Sequence, residues 1–133
     1  MNTKPNILVI DDEEVVRHSL NRALGAGHCN VQLAESGRVG LNAMGRTAFD
    51  VVLLDLRMPE MDGVEVLGAI KQQWPETEVI VITGYPAIDT AKQAARLGAY
   101  GYLAKPLGPD EVVDAAHAAV QHKRWALCSA AAA

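Results

Sequence analysis

The sequence predicts an α/β fold built on a doubly wound parallel sheet. Three observations carry that expectation. Short, β-branched apolar runs recur along the chain, a segment with helical apolar spacing follows each one, and several runs end on a carboxylate, a hydroxyl or a lysine. A parallel sheet needs a crossover between successive strands, and the helices supply it.

The first run, "NILVI" at 6 to 10, reads as a strand buried on both faces. An acidic turn follows, and from Glu13 to about Gly25 the residues Val16, Leu20 and Leu24 recur every fourth position, with Gly25 and Gly27 as stop signals. "VQLA" at 31 to 34 is the second strand, and Ser36 is the N-cap of a helix reaching about Arg46. "VVLL" at 51 to 54 is the third strand. Leu67, Ile70 and Trp74 mark a helix closed by Pro75, and "EVIVIT" at 78 to 83 is the fourth strand. A helix over about Ala87 to Leu97, a strand "AYGYLA" at 99 to 104, and a last helix after Pro109 complete five βα units.

At 133 residues the chain fits one compact domain. Half of it is hydrophobic and 21% is charged, so disorder is not expected; a net charge of -4 gives no basic footprint for direct nucleic-acid binding. Cys29 and Cys128 form no CxxC pair and suggest neither zinc nor a disulfide framework. No stretch approaches the roughly 18 apolar residues of a membrane span. The opening "MNTKPNILVIDD" meets acid too early for a signal peptide, so a soluble cytoplasmic protein without membrane association is expected. The unit is taken as residues 1–124. The tail 125–133 is an extension of the last helix, an interdomain linker or an added segment.

Ligands of doubly wound sheets bind beyond the carboxyl ends of the strands. The residues there are Asp11, Asp12, Asp55, Thr83 and Lys105. In the flavodoxin-like strand order 2-1-3-4-5, the first and third strands are neighbours, and Asp11, Asp12 and Asp55 converge at the switch point. Carboxylates so close repel one another and raise at least one pKa unless a cation is present. Oxygen ligands alone suit Mg2+, with Mn2+ as a substitute. Lys105 adds a movable positive charge and Thr83 a hydroxyl donor. Such parts would neutralise a phosphoryl group moving onto a carboxylate nucleophile, with Asp55 in that role and no general base required.

The set "IDDEE", "LLDLRMPEMDG", "VITGY" and "YLAKP" resembles the receiver domain of bacterial two-component response regulators over residues 5 to 122. The resemblance implies that Asp55 accepts phosphate from a histidine kinase or phosphotransfer protein. It also implies Mg2+ bound by Asp12 directly, by Asp11 as ligand or through water, by Asp55, and by the backbone carbonyl of Arg57. Thr83 and Lys105 would contact the phosphoryl oxygens, Tyr102 would be the switch aromatic, and the Lys105–Pro106 bond would be cis. The resemblance also implies that Arg57 and Tyr85, two residues after the Asp and the Thr, would tune phosphate lifetime. The face formed by the fourth helix, fifth strand and fifth helix would change its affinity for an effector or for a second copy of the chain.

Other readings fit these residues less well. Asp11 and Asp12 alone would serve as helix caps. His18, His28, His117 and His122 show no ligand spacing and read as surface or packing residues, and "HKR" at 122 to 124 reads as a solvated helix end. A flavin carrier would need a hydroxyl- and glycine-rich loop where this chain writes "DDEE". A phosphohydrolase of the haloacid-dehalogenase type would need a second Asp two residues after its nucleophile, where Arg57 stands after Asp55 and Glu13 after Asp11. A pure interaction module would have no use for the complete site.

Overall fold

The computed structural model describes residues 4–26 and 29–132, with side chains described as far as Leu127. Gly27, His28 and the side chain of Cys128 therefore lie outside the described residues. Five parallel strands form one sheet in the order β2-β1-β3-β4-β5. They are β1 Asn6–Ile10, β2 Asn30–Ala34, β3 Val51–Asp55, β4 Glu78–Thr83 and β5 Gly101–Ala104. The helices are α1 Glu14–Leu24, α2 Gly37–Met44, α3 Gly63–Gln73, α4 Ile88–Arg96 and α5 Pro109–Ala132. No described helix is long and apolar enough to cross a membrane.

Strand alternation divides the core in two. Leu8, Ile10, Val52 and Leu54 face Ala43 and Met44 of α2, Val66, Leu67 and Ile70 of α3, and Ala94 of α4. Ile7, Val9, Val51 and Leu53 face Leu20 and Leu24 of α1 and Val112, Ala116, Ala119 and Val120 of α5. β3 and β4 are buried at every position, whereas the edge strands β2 and β5 are partly exposed. Central parallel strands covered on both faces have no polar side, which explains their uninterrupted apolar runs.

Local signals set the helix starts. Ser36 Oγ accepts the Val39 amide at 3.2 Å, and Asp62 Oδ1 accepts the Val64 amide at 3.0 Å. β5 begins at Gly101 rather than 99, because the Ala99 amide closes α4 by donating to Ala94 O at 3.0 Å. Gly98, at φ +97, makes that reversal in a region that side chains rarely adopt. β3 extends one residue further than the apolar run, to Asp55 itself.

His122 and Arg124 of the "HKR" stretch are exposed as expected, but the stretch does not end the helix and residues in it hold specific partners. His122 Nδ1 meets Glu78 Oε2 and its ring lies 5.1 Å from that of Tyr100, while Lys123 Nζ pairs with Asp50 Oδ1 at 2.8 Å. These contacts fasten α5 to the amino-terminal end of the sheet. α5 itself continues unbroken to Ala132.

Candidate functional site

The sheet register assembles the rim. Ile10 pairs with Leu54, Asp55 with Ile82 and Thr83 with Ala104, so Asp11, Asp55, Thr83 and Lys105 follow one another across four strand ends. Backbone bonds continue the ladder one step further: Asp11 N to Ala34 O at 3.1 Å, Leu56 N to Ile82 O at 3.3 Å, and Lys105 N to Thr83 O at 2.8 Å. The peptide bond between Lys105 and Pro106 is cis.

Gly63 explains why the chain turns so sharply after Asp55. A Cβ at this position would stand 2.4 Å from Leu56 Cα and 2.7 Å from Asp55 O, so only glycine lets α3 start against the end of β3. The Gly63 amide uses that approach to donate to Leu56 O at 3.1 Å.

Asp11, Asp55 and Thr83 are buried, with relative exposures of 0%, 3% and 1%. Lys105 Nζ lies 2.9 Å from Asp11 Oδ2, 3.5 Å from Asp55 Oδ2 and 3.1 Å from Glu13 Oε1. Asp55 Oδ1 accepts the Arg57 amide at 3.3 Å, and Thr83 Oγ1 accepts the Tyr85 amide at 3.0 Å. Burial, reinforced by the charge on Asp11, pushes the Asp55 carboxyl up to about 6 against the pull of Lys105 and the Arg57 amide. Burial also works against the Lys105 ammonium, but Asp11, Asp55 and Glu13 outweigh it and its pKa moves up.

One carboxylate oxygen from each of Asp11, Asp12, Glu13 and Asp55 falls within 4.8 Å of the others. Asp11 Oδ2 is fully buried, and although the Lys105 charge lies close, no hydrogen bond satisfies it. An unsatisfied buried oxygen in an oxygen-only cluster, with four carboxylates against one ammonium, fits a hard divalent cation such as Mg2+. Asp11 and Asp55 are the buried members of the cluster, and Asp12 and Glu13 the exposed ones.

The remaining anticipated residues surround this rim. Arg57 stacks its guanidinium 4.3 Å above the Tyr85 ring, joining the loops after β3 and β4. Tyr102 is half-buried, and its hydroxyl lies 2.7 Å from Thr90 Oγ1 and 3.3 Å from the Ala87 amide at the start of α4. Sequence reasoning missed Glu13 and Thr90 as contacts of Lys105 and Tyr102. "IDDEE" contains the first of these, but nothing along the chain reveals that it meets a lysine 92 residues away.

The fold and rim together define a doubly wound α/β protein of the CheY-like kind, with an acidic pocket at its switch point. At TM-score 0.88 the chain superposes on a CheY-like receiver domain protein from Methanospirillum hungatei, covering 92% of this chain and 98% of that one at 24% identity. The family model for the response regulator receiver domain matches residues 7–117, and the chain belongs to that family, the phosphoaccepting domains of two-component signalling. It is 40% identical over 106 residues to the regulatory protein AtoC of Escherichia coli, covering 80% of this chain and 23% of that one. With the DNA-binding transcriptional regulator NtrC of Escherichia coli it shares 38% identity over 116 residues, covering 87% and 25%. NtrX from Brucella abortus, crystallised with ADP, superposes at TM-score 0.91 with 30% identity, covering 96% and 30%. The chain thus spans about a quarter of the length of these curated relatives.

Proposed function

We propose that Asp55 is the phosphoacceptor of this receiver and that its donor is a histidine kinase or a phosphotransfer protein. One observation carries the reading: a buried carboxylate, a metal-competent acidic cluster and a lysine from a third strand meet at a single rim. An Asp55 oxygen would form a bond to phosphorus as the donor's P–N bond breaks, the electron pair leaving on the donor imidazole. The carboxylate nucleophile has no proton to give up, so no general base is needed. Lys105 and Thr83 would hold the phosphoryl oxygens, positioning and neutralising the transferring group.

Asp11, Asp12, Asp55 and the Arg57 carbonyl would hold Mg2+ or Mn2+. The ion would supply charge neutralisation for phosphoryl transfer and loss. The chain would catalyse no reaction beyond its own phosphotransfer and dephosphorylation. Arg57 and Tyr85, stacked on one another in the loops after β3 and β4, would hinder an in-line water and lengthen the phosphate's lifetime; Arg57→Asn and Tyr85→Glu should shorten it.

Thr83 moving toward the phosphoryl group would let Tyr102 turn inward and shift a pre-existing equilibrium. The α4, β5 and α5 face would then change its affinity for an effector or a second copy. The names of the relatives support a transcriptional output supplied by another domain. Residues 1–124 would form the receiver, with 125–133 as its tail, in the cytoplasm.

The test is mass measurement after incubation with acetyl phosphate and Mg2+. Wild type should gain one phosphate and Asp55→Asn none; labelling of both, or of neither, would refute the assignment.

A further inference from the structure

We propose that Glu13 is a positioning residue for the phosphotransfer: it holds the Lys105 ammonium in the resting site and must release it before a phosphoryl oxygen can be bound. The inference rests on the reading of Asp55 as phosphoacceptor.

Glu13 occupies the N-cap position of α1 but makes no capping bond with its side chain. Its carboxylate instead accepts from Lys105 Nζ at 3.1 Å, across 92 residues of sequence. The same nitrogen faces Asp11 Oδ2 at 2.9 Å and Asp55 Oδ2 at 3.5 Å. An ammonium has three N–H donors, and three carboxylates surround this one. The hydrogen bond from this nitrogen goes to Glu13, with Asp11 and Asp55 as close charges, so a new phosphoryl oxygen competes with Glu13 for the ammonium.

The three are unequal. The side chains of Asp11 and Asp55 are 0% and 4% exposed and are fixed at strand ends, whereas that of Glu13 is 61% exposed. A buried carboxylate that loses its cation is left without compensation, while an exposed one is rehydrated by bulk water. Glu13 is therefore the partner that lets go, and its grip delays the lysine. Glu13 is thus a tuning element for how readily the site accepts a phosphoryl group, an exposed member of the acidic cluster distinct from the nucleophile.

With acetyl phosphate as donor, an Asp55 oxygen bonds to phosphorus, the P–O bond to the acetyl group breaks, and acetate departs with the electron pair. No proton or further reactant is required. The experiment follows the rate of this mass gain in the full chain with Mg2+, for wild type, Glu13→Gln and Glu13→Asp. Glu13→Asp keeps the negative charge but shortens the reach to Lys105.

Both variants should gain phosphate faster than wild type, by up to about fivefold, the range set by loss of one exposed ion pair. In a Lys105→Met background Glu13→Gln should then make no difference. A separate readout needs no donor: the Lys105 ammonium protons should exchange with water faster in both variants, as seen by NMR. Acceleration by Glu13→Gln alone, with Glu13→Asp like wild type, would reduce the effect to general repulsion of the anionic donor and overturn the proposal. So would unchanged rates in both variants of a protein whose wild type is labelled. A wild type that gains no phosphate would remove the assignment of Asp55, and this inference with it.

Discussion

Lys105 Nζ lies 3.5 Å from Asp55 Oδ2 even though β4 separates their strands. The lysine reaches over the end of β4, past Thr83, to place its charge where phosphoryl oxygens would gather. Lys105→Met should slow phosphate uptake from acetyl phosphate by about 100-fold, the cost of losing one preorganised charge-stabilising donor. Single-turnover mass measurements decide the matter, and a loss under threefold would take Lys105 out of the chemistry.

The Asp55 carboxyl carries a definite pH signature in metal-free protein. Its pKa of about 6 exceeds the ordinary 3.8, so the folded protein binds more protons than the unfolded chain between those values. Its contribution to stability therefore falls as pH rises through that window, reaching a penalty of roughly 3 kcal/mol at neutral pH. Asp55→Asn should be more stable than wild type near pH 7 by most of that amount, and the advantage should shrink toward pH 4. Urea unfolding without divalent ions measures the difference, and an advantage independent of pH would contradict this account.

Gly63 and Gly68 lie on the same helix and predict opposite outcomes. An added Cβ at 63 meets backbone at 2.4 Å, whereas at 68 it meets nothing within 4 Å. Gly63→Ala should destabilise by roughly 1 to 3 kcal/mol, and Gly68→Ala should stabilise by up to about 1 kcal/mol. Denaturant midpoints measured side by side test the pair, and equal effects would discount the close approach of α3 to β3.

Thr90 is the hydroxyl partner of Tyr102 at 2.7 Å. Thr90→Val keeps the shape and removes both this bond and the one Thr90 Oγ1 donates to Ala87 O at 3.0 Å, the first of which restrains the ring by about 1 kcal/mol. Tyr102 ring resonances should then broaden or shift in unphosphorylated protein, with a loss of unfolding stability of about 1 kcal/mol. Unaltered ring signals would mean that packing alone holds the tyrosine.

Much of this was legible in the sequence because it depends on local pattern. Buried strands write apolar runs, and the residue after each run stands on the rim whatever the tertiary details, so Asp11, Asp55, Thr83 and Lys105 could be named in advance. The start of β5 could not, because the Ala99 amide is claimed by Ala94 O rather than by the neighbouring strand. Glu13 with Lys105, Thr90 with Tyr102 and Arg57 with Tyr85 are meetings of side chains from different elements, which no periodicity encodes. The pairings of His122 and Lys123 were not legible because their partners, Glu78 and Asp50, precede them by 44 and 73 residues.

The fastening of α5 at Asp50 and Glu78 lies at the end of the sheet away from the rim. The helix is therefore clamped at both ends of its sheet-facing length, by Val112 and Ala116 packed in the core near the rim and by His122 and Lys123 at the opposite edge. A shift of the loop after Lys105 would have to unseat Val112 before it could tilt the helix as a whole.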